Sequence, residues 1–503
     1  MKIGFLLQRR FAMIGHAMAC QIKELNPDTE FCALVHGRIG LEFINAQKEI
    51  KYTSVLFDED IHRSLYAEEV DMDYLRMIEK EYGIPNLWPY LYIDRIIMNG
   101  QLLREYPHDQ PTLSYKEMLQ CIQVNAREII AFLETEKPDA IVFSVIGSVT
   151  STLLYHIAKK KGIQTVNIEF ARIGNRIVFS EDDMTFTWVR DRFNQLQSGS
   201  KSDCMEEAET FLAKFRENPV PYDYEKLSEY YKPKGPFSVF EFLVPKKLAK
   251  SIPWHLKTLW KDIGKRKNRD YTNIFLWWSL WDKLMRKCRM FFTYSGLYTK
   301  PDWNADFAYY PFHTDPEIAT MRYAPYHTNQ QEVIRAVARA LPVGMLLYIK
   351  EHPSMVGFRT RAYYDDLLRI PNVRLIDPGV SSNQLSVHAA ITTTITSTAG
   401  WEALLSRKPA LTFGNTFYND IPGVKFCRAY DDLPYMIEEL LTKWKSDDGI
   451  LLNYICALLE DSVSVDFSYM WNEAVAFDTI LKDEGMRSLS LLLAQKMQVI
   501  KTT

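Results

Sequence analysis

Two short stretches in the second half of the chain combine residue types that handle phosphate. The first is KEHP, Lys350 to Pro353, which closes the apolar run GMLLYIK (Gly344–Lys350). A strand ending there would deliver Lys350 and His352 to the carboxyl edge of a sheet, where open α/β sheets hold their ligands. Lysine meets a phosphate by charge and histidine by hydrogen bond. The second stretch, TTTITSTAGWEALLSRKPALTFG (Thr392–Gly414), reads as strand, hydroxyl-rich turn, short helix and strand. Ser397 and Thr398 fall where that helix begins, so free backbone N–H groups and the helix dipole favour an anion beside them. Gly400 would let the backbone approach a ligand closely, and Glu402, one turn on, is in reach of a ribose diol. Each stretch alone has an ordinary explanation, a strand-end histidine or a Ser/Thr cap. On neighbouring strand ends of one sheet they read together as a site for a nucleoside mono- or diphosphate.

The elements that must carry these residues alternate between strand and helix. Lys2–Leu7, Phe31–Gly37, Pro138–Val145 and Gln164–Phe170 are short apolar strands of a first sheet. Gly344–Pro353, Asn372–Pro378, His388–Thr396 and Lys408–Gly414 are strands of a second. Helical segments such as His16–Leu25, Asn329–Ala340 and Ala399–Ser406 fall between them. That alternation implies parallel sheets covered on both faces. The expected plan is a Rossmann-like domain over 1–196 with a helical insertion over about 58–134, then a basic, aromatic-rich helical insert over 197–302. A second Rossmann-like domain follows over 303–455, and helices over 456–503. The length of 503 residues and a 47% hydrophobic content suit two such cores. Seven dispersed cysteines without a C-x-x-C pair exclude a zinc ribbon or a disulfide scaffold and fit a reducing compartment. The first residues carry no apolar leader, and no apolar run reaches 18 residues, so the expected location is cytoplasmic.

Taken together, DPE (Asp315–Glu317), KEHP, the turn and helix Ser397–Leu404 and KPALTFGNTFY (Lys408–Tyr418) resemble the capsule polysaccharide biosynthesis protein family. That family includes β-Kdo transferases, and the resemblance covers about Ala305 to Asp432. It implies a GT-B fold, two Rossmann-like domains facing a cleft, with the donor nucleotide in the carboxyl-terminal domain. By the same resemblance His352 would contact the donor phosphate, Ser397 and Thr398 would cradle it, and Glu402 or Glu317 would hold ribose or base. The implied co-substrate is a nucleotide sugar, first of all a CMP-linked ulosonic acid such as CMP-Kdo, with a glycan or glycolipid as acceptor and no separate cofactor.

The first half would then present the acceptor and a general base. His16 (with Gly15) is placed in the turn after the first strand, and Glu169, Arg172 and Arg176 just past another strand end. Glu181, Asp182 and Asp183 follow shortly after. His16, Glu169, Asp182 and Asp183 are the candidates for proton transfer or covalent catalysis. Arg172 and Arg176 are candidates for binding an acidic sugar or anionic acceptor. Asp94 and Arg95 read as a structural ion pair, and Asp71–Asp73 is not read as a metal site, so no metal is expected. Residues 246–300 carry 14 Lys or Arg against three Asp, interleaved with Trp254, Trp260, Trp277, Trp278, Trp281, Phe291 and Phe292. That composition suits peripheral attachment to an anionic inner leaflet, with a packed helical subdomain as the alternative. The net charge of −3 and the lack of a reader motif argue against nucleic acid. Two rival functions fit the same plan: a non-hydrolysing nucleotide-sugar epimerase and a non-catalytic capsule assembly or export protein.

Overall fold

A computed structural model describes residues 1–82, 86–99, 111–219, 276–472 and 475–500, with Pro253 and Leu256. The chain forms two units, one of residues 1–98, 112–204 and 455–503 and the other of residues 99–111 and 205–454.

The first unit is built on β1 (Lys2–Gln8), β2 (Glu30–His36), β3 (Tyr52–Phe57), β4 (Ala140–Phe143), β5 (Gln164–Phe170), β6 (Arg176–Ser180) and β13 (Ser462–Ser464). Their spatial order is β13-β6-β5-β4-β1-β2-β3. β1 to β5 are mutually parallel, whereas β6 runs antiparallel to β5 and β13 antiparallel to β6. The interiors of β1 and β2 are buried without alternation, the pattern of strands covered by helices on both faces. From β1 the chain builds outward through β2 and β3, then crosses to β4 on the other side of β1. The boundary between β1 and β4 is therefore a topological switch point.

The carboxyl-terminal residues complete this unit. The helix Phe11–Leu25 buries Ile14, Met18 and Ile22 in one cluster with Met486, Leu489 and Leu493 of the helix Glu484–Lys496. Each such side chain contributes about 1.5–3 kcal/mol by leaving water. Gln21 keys the two segments polarly, donating to Leu481 O at 2.8 Å and accepting from Ser490 Oγ at 2.7 Å. A tail expected to be wholly helical thus contributes β13 as an edge strand and part of the core. The stretch 58–134 is helical where described, ending in Tyr115–Glu136, which a Ser114–Glu117 capping box starts.

The second unit holds six strands: β7 (Phe307–Pro311), β8 (Leu346–Lys350), β9 (Val373–Ile376), β10 (Ile391–Thr394), β11 (Ala410–Thr412) and β12 (Lys425–Phe426). All pair in parallel, in the order β12-β11-β10-β7-β8-β9. Read from β7 as the first strand, this is the Rossmann order 3-2-1-4-5-6, with its switch point between β7 and β10. Among the described residues no helix is long and apolar enough to cross a membrane. Most of the basic stretch 246–300, including Trp254, Trp260, Lys265, Arg266, Lys267 and Arg269, lies outside the described residues.

Candidate functional site

The switch point of the second sheet is organised by a carboxylate shut away from water. Glu351, the first residue past β8, is fully buried. Arg359 Nη1 donates to both of its oxygens at 2.6 Å, and Tyr364 Oη donates to Oε2 at 2.5 Å. The Arg359 guanidinium also donates to His313 O at 3.0 Å, just past the end of β7, and lies 4.8 Å from the Phe312 ring centroid. One buried ion pair therefore fixes the ends of β7 and β8 together. Neither partner stands out in the sequence: Glu351 is the middle of KEHP, and Arg359 lies beyond the proline that ends the motif.

Two histidines are locked into defined tautomers beside this pair. His352 Nδ1 lies 3.3 Å from the backbone N–H of Ser354 and 2.7 Å from Ser354 Oγ. A backbone N–H only donates, so Nδ1 is the lone-pair nitrogen and the neutral ring carries its proton on Nε2. His352 is half-buried and presents a hydrogen-bond donor at the carboxyl end of β8. His313, at the end of β7, accepts the Thr396 N–H on Nε2 at 3.0 Å. Complete burial, with His352 and Arg359 nearby, pushes its pKa down to about 3, so it stays neutral. This bond ties β7 to the turn after β10, directly across the switch point. His313 is not among the residues expected from the sequence, because FAYYP does not stand out as a strand; its one signal is its place two residues before the Asp315–Glu317 motif.

Lys350 occupies a different position from the one expected. Its ammonium is buried and donates to Ser382 Oγ at 3.0 Å, joining β8 to the helix Ser382–His388 after β9. Burial pulls its pKa down to about 8, opposed by the charges of Glu351, Asp377 and Glu402. It balances two buried acids, Glu351 and Glu402, and the exposed Asp377 rather than standing open to a ligand.

The turn after β10 is held largely by its own hydroxyls. Thr394 Oγ1 accepts from Ser397 N at 3.0 Å, Thr396 Oγ1 donates to Ala319 O at 2.9 Å, and Ser397 Oγ accepts from Ala399 N at 3.1 Å. Thr398, only partly buried, keeps its hydroxyl outside these bonds. Gly400 serves packing: a Cβ there would stand 2.4 Å from Tyr418 Oη, which donates to Ser397 O at 2.6 Å. The close approach read from the sequence is made by the Tyr418 ring. Glu402 is buried in the helix Ala399–Leu405, near enough to Lys350 to raise its pKa. Glu317 caps the short helix Ile318–Met321, its carbonyl accepting from Thr320 and Met321 N–H.

In the first unit the expected acid–base residues are not brought together. His16 lies within the helix Phe11–Leu25, not in a turn; it is fully buried, its Nδ1 3.0 Å from Tyr52 Oη and its ring among Phe43 and Phe477. The helix starts at Phe11, immediately past β1, and Gly15 packs against Leu7 and Phe11. Glu169 is inside β5, near its carboxyl end. Because β6 folds back antiparallel, Glu181, Asp182 and Asp183 return to the opposite end of the sheet, roughly 13 Å of strand away. There Thr165 Oγ1 donates to Glu181 O, Lys159 pairs with Asp182 at 2.7 Å, and the Asp183 N–H meets Tyr155 Oη at 3.4 Å. Arg176 is structural, donating to Ser462 Oγ, Ser462 O and Leu459 O at 2.7–3.0 Å and so holding β13. Arg172 sits in the β5–β6 turn with φ 60° and lies 5.6 Å from the Phe170 ring centroid. Asp71, of the DMD triplet, caps the helix Met72–Glu81. No group of three or more metal-ligating side chains occurs among the described residues.

The two sheets define a double Rossmann-like α/β protein. Residues 318–432 match the family described as capsule polysaccharide biosynthesis protein, in agreement with the resemblance read from DPE, KEHP and the Ser397–Leu404 turn. Solved structures similar to this chain include the β-Kdo 2,7 transferase of Thermosulfurimonas dismutans KpsC, at 12% identity, with 74% of this chain and 89% of that chain covered and a TM-score of 0.38. The β-Kdo 2,4 transferase of the same protein has 13% identity, 69% and 88% coverage and a TM-score of 0.35. A UDP-GlcNAc 2-epimerase from Neisseria meningitidis has 11% identity, 99% and 100% coverage and a TM-score of 0.23. A comparison with curated proteins finds no match.

Two consequences are measurable. Arg359→Leu leaves Glu351 buried without its counter-charge and is expected to cost about 3–5 kcal/mol in urea unfolding. Adding Glu351→Leu should return much of that loss; equal stability of the single variant and wild type would show the pair to be idle. The second concerns Lys350. Its folded pKa of about 8 lies below the unfolded value, so between them the unfolded chain holds the extra proton and stability rises with pH. Relative to Lys350→Met, the wild-type protein should gain up to roughly 3 kcal/mol from pH 7 to 10.5. A constant or falling difference would place the ammonium in water.

Proposed function

We propose that the protein is a glycosyltransferase that binds a nucleotide sugar at the β7/β10 switch point of its second unit and builds surface polysaccharide. The single observation that carries this is His352, fixed with its Nε2 proton as a donor at a strand end beside the switch point, where open α/β sheets take nucleotides. In this reading His352 donates to the donor phosphate, and the Thr398 hydroxyl with nearby backbone N–H groups supplies further contacts. Glu402 and Glu317 are assigned to ribose or base. The inward-turned Lys350 acts through the field it sets on Glu402, not by touching phosphate. A donor hydrogen bond to the leaving phosphate stabilises the negative charge that grows as the sugar departs.

The family match over 318–432 supports surface polysaccharide as the product. A CMP-linked ulosonic acid is the first donor to try, and a glycan or glycolipid the acceptor. Attachment to an anionic inner leaflet is the proposed role of the basic stretch 246–300, at the described end of which Trp281 and Phe292 are exposed.

A thermal-shift series with CMP, UDP, GDP and TDP tests the donor site. One nucleotide should stabilise the protein above the others, and His352→Ala should weaken that stabilisation about tenfold in apparent affinity, one charge-assisted hydrogen bond's worth. Unchanged affinity in the folded variant would remove His352 from the site. Conversion of the sugar nucleotide to an isomer without any acceptor would instead identify an epimerase.

A further inference from the structure

The second unit carries a cleft of about 410 Å³ beside β12, the edge strand of its sheet and two strands removed from the switch point. Clefts of about 300–1,000 Å³ are the size that encloses small molecules. The deeper lining is aliphatic: Leu404, Ile421, Leu440 and Leu451 are buried there, and Ile450 is half-buried. Trp444 completes the apolar lining, and its place is built into the backbone. Gly423 has φ 95°, and a Cβ on it would stand 2.9 Å from Trp444 Nε1. Glycine alone meets both demands, a left-handed conformation and an indole ring lying against it.

Three lysines, Lys425, Lys443 and Lys445, line the same cleft against two acids, Glu439 and Asp447. Both acids are already engaged. Glu439 Oε1 pairs with Lys425 Nζ at 2.8 Å, and Lys425, helped by Lys443, holds its carboxyl below the usual range. Asp447 Oδ1 accepts from Gly449 N and Ile450 N at 2.9 and 3.1 Å, starting the helix Asp448–Glu460. The lysine charge is in excess, and Lys443 and Lys445 are exposed. Of uncharged side-chain donors and acceptors, the described lining offers the exposed Ser446 and the Trp444 N–H. A sugar, a nucleobase or a peptide backbone entering here would lose water from polar groups and find few side-chain partners, which is costly. A hydrocarbon body has no such groups to satisfy.

We propose that this cleft binds a single hydrocarbon chain ending in an anion, a phosphate or a carboxylate. The chain displaces water from Leu404, Leu440, Ile450 and Trp444, and the headgroup stays at the surface with Lys443 and Lys445. Apolar burial and charge act together, so a bare anion lacks the first and a neutral chain the second. The ligand is held and not transformed: both acids are engaged, and none of the residues assigned to nucleotide lines the cleft. The site is separate from the nucleotide site and does not depend on that assignment.

Isothermal titration of the full-length protein with hexyl, octyl and decyl phosphate, each below its micellar concentration, tests this. Each methylene that enters the cleft should tighten binding by up to about fourfold. Inorganic phosphate, decanol and decyltrimethylammonium should each bind about tenfold more weakly than decyl phosphate, or worse. Decanoate in parallel separates a carboxylate ligand from a phosphate one, and either preference upholds the site. Lys443→Glu combined with Lys445→Glu, both on the surface, should weaken decyl phosphate about tenfold. Ile450→Trp, which fills the cleft, should abolish the dependence on chain length, and the lysine variant decides the matter should Ile450→Trp not fold. His352→Ala, at the switch point, should leave the affinity as it is. The site is overturned if the wild-type protein binds none of the chains, or binds decyltrimethylammonium as well as decyl phosphate. It is equally overturned if the lysine variant keeps full affinity, or if His352→Ala loses it and so places the phosphate at the switch point.

Discussion

The Glu351–Arg359 pair is the interaction on which the second unit's site depends. A carboxylate shut away from water is tolerated only when its oxygens are satisfied, and here Arg359 and Tyr364 do so. The consequence is geometric. Arg359 reaches across to His313 O, so the end of β7 is set relative to β8, and His313 in turn receives the Thr396 N–H from the end of β10. Three strand ends are placed by one chain of bonds that starts in a buried charge. His352, next in sequence to Glu351, inherits its position: its own N–H donates to Glu351 Oε1 at 2.7 Å. Its ring orientation is then fixed by Ser354.

The same logic, with other residues, governs the first unit. A buried acid, Asp58, fixes a histidine at the end of β2, and a second, Asp94, accepts from the N–H groups of Ile96, Ile97 and Val149. Asp94 thereby seats the start of the helix that leaves β4. Burial pushes its carboxyl up against the pull of those N–H groups and of His62. In both sheets the charges cluster at the carboxyl ends of the parallel strands, beside the strand whose neighbours diverge in sequence. Placing charge in a core is costly, and its recurrence at equivalent points of two sheets marks where each unit departs from packing alone.

What the sequence disclosed follows from which interactions are local. The strands of KIGFLL, FCALVHG, QTVNIEF and GMLLYIK were legible because a strand buried on both faces must be a continuous apolar run. The KEHP and Ser397–Leu404 stretches were legible as strand ends for the same reason. β6 was not, because RIVFS is short and its antiparallel pairing with β5 depends on a turn containing Arg172 at positive φ, unusual for arginine. Missing that reversal put Asp182 and Asp183 at the wrong end of the sheet. His16 was misjudged because the helix begins at Phe11 without a side-chain cap, leaving no signal of its start. Gly400 and Gly414 owe their identity to partners distant in sequence, Tyr418 in one case and Thr396 with Ala324 in the other. His36 and Asp58 likewise meet only through the β2–β3 pairing, which a one-dimensional reading does not contain.

The central claim is that buried charge fixes His352 as an Nε2–H donor for a nucleotide phosphate. Long-range ¹H–¹⁵N spectra of the histidine rings, assigned through His352→Gln, read that directly. The account predicts an Nε2-protonated His352 in the free protein, whose Nε2 resonance shifts when the stabilising nucleotide is added and whose tautomer does not change. An Nδ1-protonated ring, or an Nε2 resonance indifferent to a nucleotide that demonstrably binds, would contradict it.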